Sequence, residues 1–264
     1  MQTNLRTILR PIPYLKPIAV LLGILILASA IFLLSWPNNS VAVLAYHKVS
    51  LSPGIYSITP KLFEEQMRYL ADNGFKPISL NDLTEALSGE KTLPDKSIIL
   101  TFDDGYEDNY LTALPIMEKY GMRAAVFIAV DKVSRPGYMS WDQITALRAK
   151  GIDIGSHSLS HPSLTDLSPA EQAKEIIASK TALEKRLGQS VDYLAYPNGK
   201  FDASMFTLLQ QSGYRGAFSG IHGLNLPGDN PYILKRISIL KPKFGMLSFR
   251  VRLMRALIAS KFSF

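Results

Sequence analysis

The sequence predicts an α/β fold of parallel βαβ units, in an open doubly wound sheet or a (β/α) barrel, preceded by one transmembrane helix. Three observations predict it. Short apolar runs at 41–46, 97–102, 124–129, 152–156, 192–196 and 214–218 alternate with stretches of helical periodicity. No Gly-x-Gly-x-x-Gly follows any of these runs, so a dinucleotide fold lacks its fingerprint. Ahead of them, residues 17–36 carry no charged side chain, which is about the twenty residues a helix needs to cross a hydrocarbon core.

Taken in order, residues 1–16 form a basic stub with Arg6, Arg10 and Lys16 and no acid. The positive-inside rule keeps that stub in the cytoplasm and sends the remainder across. Residues 17–36 are then a single-pass signal anchor, with the main domain extracytoplasmic. A cleaved signal peptide is the alternative, with Ala28-Ser29-Ala30 as its site. The four apolar residues and Trp36 that follow would leave a sticky new terminus, which favours the uncleaved anchor.

Residues 37–41 form a linker, 42–241 the main domain and 242–264 a basic amphipathic tail. The run 41–46 reads as a first buried strand that ends in His47. A helix starts near Thr59-Pro60, with Leu62, Phe63, Met67 and Leu70 on one face. A shorter one, capped by Asn81 or Asp82, runs to Leu87. After the strand 97–102, apolar positions between 110 and 120 suit a helix that Pro115 kinks or delays. Residues 141–150 are helical. Ser168-Pro169-Ala170-Glu171 is a strong start for a helix that runs to Leu187-Gly188. A helix over 203–212 and a final strand over 236–240 complete the pattern.

The chain has 264 residues, 47% hydrophobic, and no cysteine, so disulfides and thiolate metal sites are excluded. Its formal charge of +7 is unevenly placed: residues 1–40 contribute +3 and 241–264 contribute +6, which leaves 41–240 at −2. Basic ends point to a membrane surface more than to nucleic acid. In the tail, Met246, Phe249, Leu253, Met254, Leu257 and Ile258 alternate with Arg250, Arg252, Arg255 and Lys261. That pattern fits a helix on an anionic membrane, a helix packed on the domain with its basic face in water, or one wall of a groove for an acidic glycan.

The chemistry gathers where apolar runs end. Thr101-Phe102-Asp103-Asp104-Gly105 places two carboxylates at a strand tip, where like charges resist joint ionisation unless a cation or proton is shared. The pair reads as a metal ligand beside a general base, or as a solvated Asp-Gly turn. His157 and His161 lie four apart in Ser156-His157-Ser158-Leu159-Ser160-His161-Pro162. In a helical turn both rings would face one ion, and with one carboxylate they make a His₂-carboxylate set that leaves a position open for water. In a barrel, residues at the carboxyl ends of strands carry the reaction. His47, Asp103, Asp104, His157 and Tyr196 all fall there.

These segments, together with Ala195-Tyr196-Pro197-Asn198-Gly199, resemble the first three motifs of the polysaccharide deacetylase family. That carbohydrate esterase group includes NodB-like chitooligosaccharide deacetylases. The resemblance spans about residues 41–240. It implies a distorted (β/α) barrel and a divalent metal, usually zinc, held by Asp104, His157 and His161. It also implies Asp103 as general base and the Tyr196 backbone N–H as oxyanion donor. The family's late Leu-x-His is absent. Leu44-Ala45-Tyr46-His47 is instead similar to the early Tyr-His of the poly-N-acetylglucosamine deacetylase branch, which implies His47 as general acid. That branch also implies Arg236 as the tether of Asp103, in place of an arginine missing from the third motif. Trp141 is a candidate for stacking on a sugar, or a buried aromatic at a helix start.

The expected activity is hydrolytic removal of N-acetyl groups from an N-acetylglucosamine-containing polysaccharide. A carbohydrate-binding relative without turnover and a metal-dependent hydrolase of another ester or amide are the alternatives.

Overall fold

The computed structural model describes residues 35–262 apart from position 53, together with positions 20 and 23. Residues 36–264 form one compact unit. The anchor expected over 17–36 lies outside the described residues except at positions 20, 23, 35 and 36. Among the described residues no helix is long and apolar enough to cross a membrane.

The fold is organised by two fully buried strands, β1 (Val41–Tyr46) and β5 (Ser97–Phe102), paired in parallel from Val41↔Ser97 to Tyr46↔Phe102. Both are continuous apolar runs because both of their faces are covered. From β5 the sheet continues in parallel through β6 (Ala124–Ile128), β7 (Asp153–Ser156), β8 (Tyr193–Ala195) and β9 (Gly216–Phe218). On the other side of β1, the short β10 (Leu224–Asn225) pairs antiparallel with its first residues and β11 (Ile237–Ser238) pairs in parallel with Leu44 and Ala45. Leu234, just before β11, bridges to Phe218 of β9. One irregular segment thus ties the two edges together, and the sheet curls into an incompletely closed barrel.

Side chains inside the curl include Val41, Val43, Ile99, Ala125, Phe127 and Phe218. Gly155 faces this layer: a Cβ there would lie 2.4 Å from the Phe127 ring, so only glycine lets that ring cross the barrel. The opposite face carries a larger cluster with Leu44, Phe102, Phe63 and Met67, under helices α1 (Pro60–Asp72), α3 (Leu114–Lys119) and α4 (Trp141–Ala149). Between α1 and β5, β4 (Lys76–Pro77) adds a short edge to the sheet, and β2 (Lys48–Val49) pairs with β3 (Ser57–Ile58) beyond the barrel mouth. Helix α2 (Leu80–Leu87) contributes Leu80 and Leu83 to the interior and lies at the amino end, where its Leu80 N–H donates to Asp153 at 3.0 Å.

Local rules explain the boundaries, including those that differ from expectation. The cap of α2 is Ser79, whose hydroxyl and the Asp82 carboxylate form a capping box, so Asp82 is the third helical residue and not the cap. Ahead of α3 the backbone makes a π-helical turn over Asn109–Ala113. Pro115 sits in the first turn of α3, where its missing N–H costs no ladder bond. Helix α5 (Pro169–Leu187) has the expected Ser168 box and ends at Gly188 in the left-handed conformation. Helix α6 (Met205–Gln211) starts two residues later than its apolar pattern suggests. The basic tail forms α7 (Gly245–Ser260), and its Phe249, Leu253, Ala256 and Leu257 are buried in the main core.

Candidate active site

A cleft of about 350 Å³ opens at the carboxyl ends of the strands, lined by His47, Asp103, Asp104, His157, His161 and Arg236 among others. Ladder continuation holds the key groups. One residue past β5, the Asp103 N–H donates to Tyr46 O at 3.0 Å, and one residue past β7 the His157 N–H donates to Ile128 O at 2.8 Å. Asp104 then turns back with φ 74°, followed by Gly105 at φ 80°. A left-handed aspartate next to a glycine brings both carboxylates to one end of the barrel.

The two histidines meet without a helical turn. Ser158 and His161 each take a left-handed backbone, φ 64° and 69°, and the rings end 4.7 Å apart. The serines before and between them carry that loop: Ser156 Oγ accepts from the Ser158 N–H, Ser158 Oγ accepts from the His161 N–H, and Ser160 donates through N–H and hydroxyl to the buried Glu175. The serine-rich spacing is therefore a hydrogen-bonded scaffold for His161.

His157 Nδ1 lies 2.7 Å from Ala195 O, so that nitrogen donates and Nε2 keeps its lone pair. Nε2 faces Asp104 Oδ1 at 3.9 Å, and His161 Nε2 is 3.1 Å from the same oxygen. Oδ1 is nonetheless buried without a well-formed hydrogen bond. One ligand atom from each of the three residues falls within 4.8 Å of the others. Converging, buried, unsatisfied lone pairs of this N₂O type fit a divalent cation. Burial works to raise the Asp104 carboxyl, but His161, His157 and Lys132 outweigh it and hold it well below the usual range. Burial pushes the His157 imidazole down to about 4, against the charges of Asp103 and Asp104, so it is neutral at neutral pH.

Beside this set, Arg236 Nη1 donates to Asp103 Oδ1 at 2.7 Å with both side chains 5% exposed. Arg236 Nε donates to Ser219 O, which fixes the guanidinium. Burial would raise the Asp103 carboxyl, yet the charges of Arg236, His157 and His47 bring it below its ordinary value. His47 follows β1 on the cleft wall. Its carbonyl accepts from Asn109, its ring lies 4.6 Å from that of Tyr56, and its Nδ1 is buried without a partner.

Two expected residues are placed differently. The Tyr196 N–H is taken up by Phe218 O at 3.0 Å, continuing the β8–β9 ladder, and its hydroxyl donates to Tyr232 O. An N–H already paired in a sheet cannot serve an oxyanion, so this role does not hold for Tyr196. Two positions on, Asn198 lines the cleft with φ 59°. Asn before Gly is the residue type that tolerates a left-handed backbone, a signal present in Pro197-Asn198-Gly199. Trp141 does not line the cleft. It packs against the main core, with the Arg186 guanidinium 5.3 Å from its ring centroid.

Lys132 and Tyr106 also line the cleft, and sequence reasoning missed both. Lys132 Nζ is 3.5 Å from Asp104 Oδ1. Tyr106 stacks on Tyr138 with centroids 4.9 Å apart, and burial and the Asp104 charge push its phenol up. No local pattern distinguishes Lys132 from any lysine after a strand.

A curled α/β barrel with a carboxylate, two imidazoles and an arginine-paired second carboxylate at its strand tips defines a hydrolase of the metal-dependent barrel type. The family model described as polysaccharide deacetylase matches residues 90–217. Through this segment the chain matches the polysaccharide deacetylase family. It is 29% identical to YxkH of Bacillus subtilis over 197 residues, covering 75% of this chain and 70% of that protein. It is 26% identical over 243 residues to the poly-beta-1,6-N-acetyl-D-glucosamine N-deacetylase of Staphylococcus aureus, covering 81% and 83%. Among solved structures it superposes on IcaB from Ammonifex degensii with TM-score 0.73 and 26% identity, over 81% of this chain and 96% of that one.

Proposed function

We propose that this chain is a metal-dependent deacetylase that hydrolyses N-acetyl groups of an N-acetylglucosamine-containing polysaccharide, with poly-β-1,6-N-acetylglucosamine as its substrate. The observation that carries the proposal is the convergence of Asp104, His157 and His161 beside an Asp103 paired with buried Arg236. The Staphylococcus aureus relative, named a poly-β-1,6-N-acetylglucosamine deacetylase and matched over most of this chain's length, supports the choice of glycan.

Asp104, His157 and His161 would hold the ion, for which we propose zinc. When bound it supplies polarisation of the amide carbonyl and acidification of water. The chain's own groups do the rest. Asp103, kept ionised by Arg236, takes the proton of the attacking water as the new C–O bond forms. The oxyanion receives a backbone N–H from the 198 turn. His47 gives its proton to the nitrogen as the C–N bond breaks, so acetate and a free amine leave. Residues 17–36 anchor the domain outside the cytoplasm in this reading, a role their uncharged apolar composition supports.

Release of acetate from β-1,6-linked and β-1,4-linked N-acetylglucosamine oligomers tests the proposal. The full chain releases acetate, faster from the β-1,6 series, and Asp103→Asn does not. Absence of acetate from every glycan and metal tried would overturn it.

A further inference from the structure

Helix α7 has two apolar faces. Phe249, Leu253, Ala256 and Leu257 are buried in the core. On the opposite side, Leu247, Val251, Met254 and Ile258 are between 39% and 61% exposed, and Phe244 and Phe262 flank the helix at 65% and 63% exposed. At the helical repeat the four within the helix fall within roughly 60° of arc, a continuous stripe about three turns long. A helix that only covers the domain needs a single such face, and leaving four large apolar side chains in water on one stripe, flanked by two exposed phenylalanines, marks a contact surface.

The charges beside the stripe say what it meets. Arg250 lies along one edge and Arg255 along the other, and residues 241–264 contain six basic residues and no acid. Two copies pressed together through this face would bring like charges against each other, whereas phospholipid headgroups of negative charge complement it. The position of the helix agrees. The chain enters the compact unit at Trp36, whose ring meets Phe75 edge-on at 5.3 Å just beyond α1, and α7 packs on the same α1 through Phe249 and Tyr69 at 5.9 Å. Trp36 and α7 thus both pack about α1 and the residues just beyond it.

We infer that α7 is an interfacial helix that lays the domain on an anionic bilayer, with its outer apolar stripe in the headgroup boundary and Arg250 and Arg255 on lipid phosphates. A membrane-bound glycan chain would then meet a cleft of fixed orientation and not one swinging on a linker.

The chain has no cysteine, so single-cysteine variants of the full chain accept one nitroxide each. Val251→Cys and Met254→Cys report the stripe, and Lys174→Cys on the exposed side of α5 is the control. Each is reconstituted in phosphatidylcholine vesicles with and without phosphatidylglycerol, and nitroxide contact with dissolved oxygen is compared with contact with a water-soluble nickel chelate. The anchor segment is common to every sample. With anionic lipid, nickel contact at 251 and 254 falls roughly tenfold while oxygen contact rises, and position 174 does not change. Arg250→Glu with Arg255→Glu restores nickel contact. Labels that stay in water in both lipids would overturn the inference. So would protection that is equal without anionic lipid, or that grows with protein density, the signature of a second copy on this face.

Discussion

The two ends of the barrel hold cavities of opposite character. The larger, about 540 Å³, lies at the amino ends of β7 and β8 and is lined by Arg123, Arg148, Asp153 and Asp192. Its charged groups have partners: Asp153 accepts from the Leu80 N–H, Arg123 donates to Gly151 O and Arg148 to Leu187 O. The smaller cleft, about 350 Å³ at the carboxyl ends, keeps Asp104 Oδ1 and His47 Nδ1 buried and unsatisfied. Volume alone points to the wrong end. Buried polar atoms without partners destabilise a fold, so Asp104 Oδ1 and His47 Nδ1, kept in a cleft with left-handed aspartate and histidine backbones, are placed for a ligand.

Substitutions at the two ends should therefore separate activity from stability. The largest effect is expected from Asp103→Asn, which keeps the shape and removes the base: kcat for acetate release falls about a thousandfold with unchanged circular dichroism. A fall below tenfold would assign the base elsewhere. His47→Gln lowers kcat about a hundredfold and removes the basic limb of the pH-rate profile, while an unchanged limb would exclude His47 as the acid.

Arg236→Lys keeps a cation but loses the planar fork. The offset to burial weakens, the Asp103 carboxyl rises, and the acidic limb moves to higher pH with a roughly tenfold loss of kcat. A limb that does not move would show that Asp103 is held by other charges.

The smallest effect belongs to the amino end. Burial raises the Asp153 carboxyl above its ordinary value, in spite of the Leu80 N–H and Arg123. A carboxyl raised on folding favours the folded state most below its unfolded value, and that contribution is lost as pH rises through its folded value. Asp153→Asn stays neutral, so it should match the wild type in acid and be the more stable of the two by neutral pH, with acetate release unchanged. Chemical denaturation at a series of pH values checks this. A loss of activity in Asp153→Asn would erase the distinction between the two ends.

Much of this arrangement is legible in the sequence because burial on both faces writes continuous apolar runs. The bounds 41–46 and 97–102 coincide with β1 and β5, and the residues just beyond them carry the chemistry. The histidine pair was legible from spacing, although left-handed residues and not a helical turn bring the rings together. Arg236 was reached through resemblance alone, since its partner is 133 residues away. Which N–H groups remain free was not legible. That depends on strand register, as the Tyr196 bond to Phe218 shows, and register is set by neighbours distant in sequence. The antiparallel β10 leaves no trace in the sequence, because two residues carry no periodicity. The second face of α7 was visible as apolar letters, but only packing shows which of them remain outside.

The most direct test of the account is a zinc titration of chelator-stripped full chain, read as acetate release from β-1,6-linked N-acetylglucosamine oligomers. Stripped protein should release no acetate, recovery should saturate at a single equivalent of zinc per chain, and His161→Ala should show no saturable recovery. Full-rate release from the stripped wild type, or equal recovery in His161→Ala, would contradict it.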